Sequence, residues 1–183
     1  GNTTGSSNTA VGRTALYSNT TASYGTAVGF RAAYSNTTGA DNTAMGGNSL
    51  YTNSTGNFNV ASGYASLRLN TTGSSNVGLG YEALKSNTTA SYNTAVGYQS
   101  LKANTTATNN VSIGAFSLAL NTTGEANTSV GLAAMDANTT GSNNVALGRE
   151  ALGGNTTASY NTAVGYQAGL NATTGSVNTF VGG

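Results

Sequence analysis

The sequence predicts an all-β fold, a parallel β-solenoid (β-roll) of about eleven 17-residue coils. Three observations predict it. The triplet Asn-Thr-Thr returns every 17 residues without a slip, in units that start at 2, 19, 36, 53 (as Asn-Ser-Thr), 70, 87, 104, 121, 138, 155 and 172 (as Ala-Thr-Thr). A glycine occupies the same place in every unit. Between triplet and glycine lies a short alternation of branched and small residues, the period of a strand. A fixed short period means stacked like units rather than one globular core. Residues 1–183 are therefore expected to form a single repeat array. No unit looks like a cap, so a segment of a longer fibre, or an array whose ends are covered by neighbours, is expected.

Positions are counted from the Asn of each triplet. Positions 1 to 6, typically NTTGSS or NTTASY, are expected to make the exposed return turn, where Asn and Thr are at home. Position 7 is Asn in ten units: Asn8, Asn42, Asn59, Asn76, Asn93, Asn110, Asn127, Asn144, Asn161 and Asn178; Gly25 stands in the second. Stacking would turn this column into a structural ladder of amides, each donating to and accepting from the next coil. Thr at positions 2 and 3 would form hydroxyl ladders, helped by a branched Cβ that favours extended backbone.

Positions 8 to 10 predict the strand. Position 8 holds Thr or Val, position 9 a small residue in most units, and position 10 Val, Leu, Ile or Met apart from Ser62. The apolar side chains at 8 and 10 are expected to point inward. Position 11 is Gly throughout: Gly12, Gly29, Gly46, Gly63, Gly80, Gly97, Gly114, Gly131, Gly148, Gly165 and Gly182. It is expected to turn a coil corner by taking φ > 0. Position 14 is Ala or Ser, and position 15 is Leu at Leu16, Leu50, Leu67, Leu84, Leu101, Leu118 and Leu152. A second short inward-facing strand is expected there. The Thr, Asn and Gly content disfavours helix. At about 4.8 Å per coil, eleven coils would make a rod roughly 50 Å long.

The charges fit this map. All eleven lie at positions 5, 6, 12, 13 or 16, among them Glu125, Asp41, Arg13, Glu82 and Lys102. Ionised side chains avoid burial unless paired. The total is only 6% charged residues, far from the roughly 25% of ordinary domains. Yet 37% of residues are hydrophobic and sit at fixed positions, which argues for an ordered array rather than a disordered tract. No apolar run approaches the roughly 18 residues of a membrane span.

Composition also limits function. His and Cys are absent, which removes the commonest general base and the thiol nucleophile. The five carboxylates occupy unlike or distant positions, so no carboxylate dyad or metal cluster is expected. An enzyme is not expected, nor any cofactor beyond covalent glycans. A formal charge of +1 disfavours nucleic acid.

The segment Asn109 to Ala119, NNVSIGAFSLA, resembles the repeat of trimeric autotransporter adhesin heads, the YadA-like heads. That repeat runs roughly N-S-V-A-I-G before small residues. Asn109, Asn110, Val111, Ser112, Ile113 and Gly114 match it in order, and NNVALG at Asn143 to Gly148 and SNVGLG at Ser75 to Gly80 come close. The resemblance implies a left-handed parallel β-roll, three chains side by side and adhesion at a bacterial surface. Related repeats occur in phage tail fibres. The family unit is nearer fourteen residues, and the extra length here is about one Asn-Thr-Thr.

Few and small inward residues per coil also favour packing against further copies. The expected partner is the chain itself, as a homotrimer or an end-to-end filament. A host-surface or carbohydrate ligand and an extracellular, cell-surface or virion location follow from the same reading. Stacked Tyr near the turns, at positions 6, 12 and 16, suits either sugar binding or an apolar seam.

Asn-x-Thr is also the N-glycosylation acceptor. Candidate sites are Asn2, Asn19, Asn36, Asn53, Asn70, Asn87, Asn104, Asn121, Asn138 and Asn155, the column expected on the exposed turn. One glycan per coil on a filament is thus an alternative to a plain hydrogen-bonded ladder. A Thr array that binds ice is a more distant alternative. It is disfavoured because adjacent Thr on a strand point to opposite faces.

Overall fold

The computed structural model describes residues 1–182. It is all-β, with one three-residue strand per coil: β1 (Thr9–Val11), β2 (Thr26–Val28), β3 (Thr43–Met45), β4 (Val60–Ser62), β5 (Val77–Leu79), β6 (Thr94–Val96), β7 (Val111–Ile113), β8 (Thr128–Val130), β9 (Val145–Leu147), β10 (Thr162–Val164) and β11 (Thr179–Val181). The strands form one eleven-stranded sheet in chain order. Neighbours are parallel, and the register follows the unit: Thr94 lies beside Val111, Ala95 beside Ser112, Val96 beside Ile113. The chain is a β-solenoid, and no described residue is helical.

The corner glycine takes the backbone that only glycine adopts cheaply. Gly97 has φ 134° and Gly114 has φ 133°. A Cβ at Gly97 would stand 2.5 Å from the carbonyl oxygen of Gly114 in the next coil. Both the conformation and the stacking distance therefore require hydrogen at this place.

Two expectations about orientation are corrected. The strand faces the other way: Ala27, Ala44, Ala61, Ala95 and Ala146 at position 9 are fully buried. Val11, Met45, Ile113, Leu147 and Val164 at position 10 are exposed. The reason is the width of the coil. Its interior is filled from the opposite wall by Leu at position 15, and only a small residue fits across from it. Gly78 shows the tightness, since a Cβ there would come 2.5 Å from Ser66 Oγ. The alternation of the strand was legible, but its phase depends on which wall holds the larger side chains.

The second strand is also absent among the described residues. Positions 12 to 17 form a succession of turns. Residues at 13 and 15 take left-handed backbone, for example Gln99 with φ 53° and Leu101 with φ 51°. Such a residue costs roughly 1–2 kcal/mol. Two gains offset it. The turns carry their own ladder between coils, with the amide of Leu101 donating to Ser117 O and that of Gln99 to Tyr81 O, at 3.0 and 2.9 Å. Leu50, Leu67, Leu84, Leu101, Leu118 and Leu152 are also completely buried, each worth about 1.5–3 kcal/mol. Positions 14 and 15 do face inward, as Ala83, Ala134 and Ala151 show at position 14.

Candidate functional site

The triplet is divided between interior and surface. Its Asn is buried in the nine coils from Asn19 to Asn155, not presented on the turn. Asn2, in the first coil, is exposed. Each buried amide is held twice. Asn104 Nδ2 donates to Asn87 Oδ1 in the preceding coil at 3.0 Å and to Ala107 O in its own turn at 3.0 Å. Asn70, Asn87 and Asn138 repeat the pattern. Both amide hydrogens are thereby used. A sugar on Nδ2 would replace one of these bonds and would need space inside a closed coil. The expectation of an exposed acceptor column at these Asn is therefore corrected. The turn is polar in composition, but polar residues that satisfy one another can be internal.

Position 2 is half-buried, and its hydroxyl donates to the position 2 carbonyl of the next coil rather than to another hydroxyl. Thr71 Oγ1 reaches Thr88 O at 3.0 Å, and Thr88 Oγ1 reaches Thr105 O at 3.0 Å. Position 3 is the exposed member, as at Thr72, Thr89, Thr106 and Thr140. No flat pair of Thr columns results.

The Asn column at position 7 makes a second internal ladder. Asn76 Oδ1 accepts the backbone amide of Asn93 at 3.0 Å, and Asn93 Nδ2 donates to Ala107 O at 2.9 Å. Ala107 O thus receives two amides, one from each ladder, which uses both lone pairs of that carbonyl. The two columns of Asn are tied together at position 4 of every such turn. In the second coil, Gly25 keeps the backbone bond to Asn8 Oδ1 at 2.8 Å but brings no side-chain amide to the ladder.

The outward face of the sheet is apolar at position 10 in every coil but that of Ser62, and carries Thr or Val at position 8. Position 10 supplies Val11 (57% exposed), Met45, Ile113, Leu147 and Val164. Positions 6 and 12 add exposed aromatic rings beside it, including Tyr24, Phe58, Tyr92 and Tyr160, then Phe30, Tyr64, Tyr81, Tyr98 and Tyr166. Single exposed apolar side chains are ordinary; a column of them with rings alongside marks a site of contact. Its phase was missed in the sequence because the larger residue of an alternating pair was assigned to the core.

Aromatic side chains run in two short stacks. Tyr17, Tyr34 and Tyr51 at position 16 stack with centroids 5.1 and 5.3 Å apart. Tyr64, Tyr81 and Tyr98 at position 12 do the same at 5.6 and 5.2 Å. The ring faces are turned to one another, so edges and hydroxyls face out. Where position 16 changes to charge, a buried Glu82 gathers Lys85, Lys102 and Gln99 around its carboxylate. The hydrogen bond from Lys85, with that from Lys102, holds the Glu82 carboxyl below its ordinary range despite the cost of burial. Glu150 is likewise lowered by Gln167 and Arg149. Asp136 is pushed up, chiefly by burial and also by the nearby Glu150. Among the described residues no three His, Cys, Asp or Glu side chains gather as a metal site, and no helix is long and apolar enough to cross a membrane.

Comparison of the chain with protein-family models, with curated proteins and with solved structures finds no match.

Proposed function

We propose that this chain is a non-catalytic structural segment of an extracellular fibre, and that its outward sheet face packs against further copies of itself. The observation that carries this is the column at position 10, apolar in every coil but that of Ser62, with exposed rings at positions 6 and 12. Only Asp41, Arg13 and Arg149 put charge among the columns at positions 6 to 12. An interface core depleted of charge and rich in Tyr and Phe has the composition of a lasting contact. The interior of one coil is thin, with Ala, Ser and one Leu, so an added layer would contribute much of the burial a longer rod needs. The resemblance to adhesin-head repeats agrees with three chains side by side and an adhesive role, with any ligand-binding tip carried elsewhere.

Light scattering on the purified chain tests the interface. A discrete trimer or dimer is expected, and the triple variant Val96→Lys, Ile113→Lys, Val130→Lys is expected to be monomeric with its β-type circular dichroism kept. A monomeric parent chain at high concentration would overturn the proposal. Long end-to-end filaments, with the sheet face still free, would replace it with axial stacking.

A further inference from the structure

One place breaks the surface pattern and is independent of the sheet face. Position 16 carries long side chains from Tyr17 through Lys102, then drops to Ala119. A groove of about 490 Å³ opens where the column stops. Ala119, Leu120, Ala133 and Phe116 form its apolar part, and Ser86 and Gln99 add polar groups to its rim. The Phe116 ring is fixed edge-on against Tyr98, with centroids 5.2 Å apart at 69°. Lys102 and Asp136 also line it. The two charges are not equivalent. Lys102 is turned to Glu82 at 3.1 Å, a carboxylate it shares with Lys85. Asp136 forms no ion pair among the described residues, while the neighbouring Glu150 is engaged by Arg149.

We propose that this groove binds a small organic cation with an apolar body. The body would lie over Ala119, Leu120 and Ala133 against the Phe116 ring, and the ammonium group would pair with the Asp136 carboxylate. The chemistry is that of ligand pockets in general: apolar walls of a few hundred Å³ with a small number of polar groups, of which Asp136 lacks an ion pair. An aromatic wall adds attraction for a cation. Asp136 has backbone hydrogen bonds but no ion pair among the described residues, so an anionic ligand would be repelled by it and a neutral one would leave it without an ionic partner.

The test uses the chain labelled for nuclear magnetic resonance at alanine and leucine methyl groups. The probe is 2-phenylethylammonium, with 2-phenylethanol as neutral isostere and 3-phenylpropanoate as anion. The ammonium is expected to shift the methyl signals of Ala119, Leu120 and Ala133 with a dissociation constant of about 1 mM. The alcohol and Asp136→Asn are each expected to weaken binding about tenfold. Ala119→Tyr, which restores the side chain that the first three coils carry, is expected to abolish the shifts with the melting temperature kept. Equal binding of alcohol and ammonium, tighter binding of the anion, unchanged binding in Asp136→Asn, or no groove shifts at about 10 mM ammonium would each overturn the proposal.

Discussion

The fifth to ninth coils and the last two share one backbone but not one interior. In the regular coils the inner wall holds Leu84, Leu101, Leu118, Met135 and Leu152, all fully buried. In the tenth coil the same position is Gly169, with φ 65°. The missing side chain is replaced from the eleventh coil, where Phe180 stands at the strand position that is Ala in most units. A Cβ on Gly169 would lie 2.7 Å from the Phe180 ring and 3.1 Å from Leu152 Cδ2. The ring therefore occupies the space the leucine would have filled. A second departure, close by, has no such replacement. Ala172 stands where the other ten units have the Asn of the triplet. Asn155 Oδ1 beneath it is buried without a hydrogen-bond partner. Apolar volume can be supplied from either coil, as in other cores that conserve total volume. A hydrogen-bond rung needs one particular atom at one particular place.

The corner separates the regular coils from the end most sharply. Gly97→Ala adds a positive-φ alanine and a 2.5 Å contact with the backbone of the next coil. A loss of about 4 kcal/mol or more is expected in denaturant unfolding. Gly182→Ala has φ 111° but nothing within 4 Å of the added Cβ, so a loss of about 1 kcal/mol is expected. Equal losses would show that conformation alone, and not stacking, selects the glycine.

Packing gives the next largest effect. Leu101→Ala is expected to cost about 2–5 kcal/mol. Phe180→Ala alone should cost about 2–3 kcal/mol, because that ring is half-buried. The double variant Gly169→Leu, Phe180→Ala is expected to recover most of that loss. It makes the tenth coil regular, at the expense of a left-handed leucine that the other coils already carry. Failure to recover would mean that Phe180 does more than fill the leucine's space.

The ladder comes third. Asn104→Ala removes donors to Asn87 Oδ1 and Ala107 O and an acceptor for Asn121. The groups left buried without partners should cost about 2–3 kcal/mol in unfolding experiments. Ala172→Asn runs the other way. It offers Asn155 Oδ1 the amide that every regular rung has, and a gain of about 1–2 kcal/mol is expected. The same variant sharpens the interior assignment of the Asn column, because Ala172 is half-buried already and gains a partner only if Asn turns inward.

The period, the strand at positions 8 to 10 and the place of the corner glycine were all legible, because each repeats with the residue type that its backbone needs. The direction of the strand was not. Thr94-Ala95-Val96 alternates equally well with either face inward, and the choice depends on Leu101 across the coil, which a single strand's pattern does not contain. The burial of Asn87 and Asn104 was hidden for a related reason. Asn and Thr are turn residues by local propensity, and only the stacking of coils gives an internal amide two partners. The groove beside Asp136 left one visible trace, the fall of position 16 to Ala119, which is an interruption of the period rather than an instance of it.

The smallest expected effect concerns backbone that the repeat holds under strain. Position 6 takes left-handed φ in coil after coil, with Tyr92 at 62°, Asn109 at 61° and Ala126 at 54°. Asn reaches this region more easily than most residues, since its side chain bonds locally. Ala126 has no such help, and its side chain is exposed with little packing to lose. Its amide donates to Thr108 O at 3.2 Å, so the conformation is kept by the ladder between coils. Ala126→Gly removes the steric cost while keeping that bond, but frees the unfolded chain. A net gain of about 0.5–1 kcal/mol is expected from denaturant midpoints. Asn109→Gly should gain less than Ala126→Gly. If the two gains are equal, or if Ala126→Gly destabilises, the left-handed turns are not strained and the ladder alone selects them.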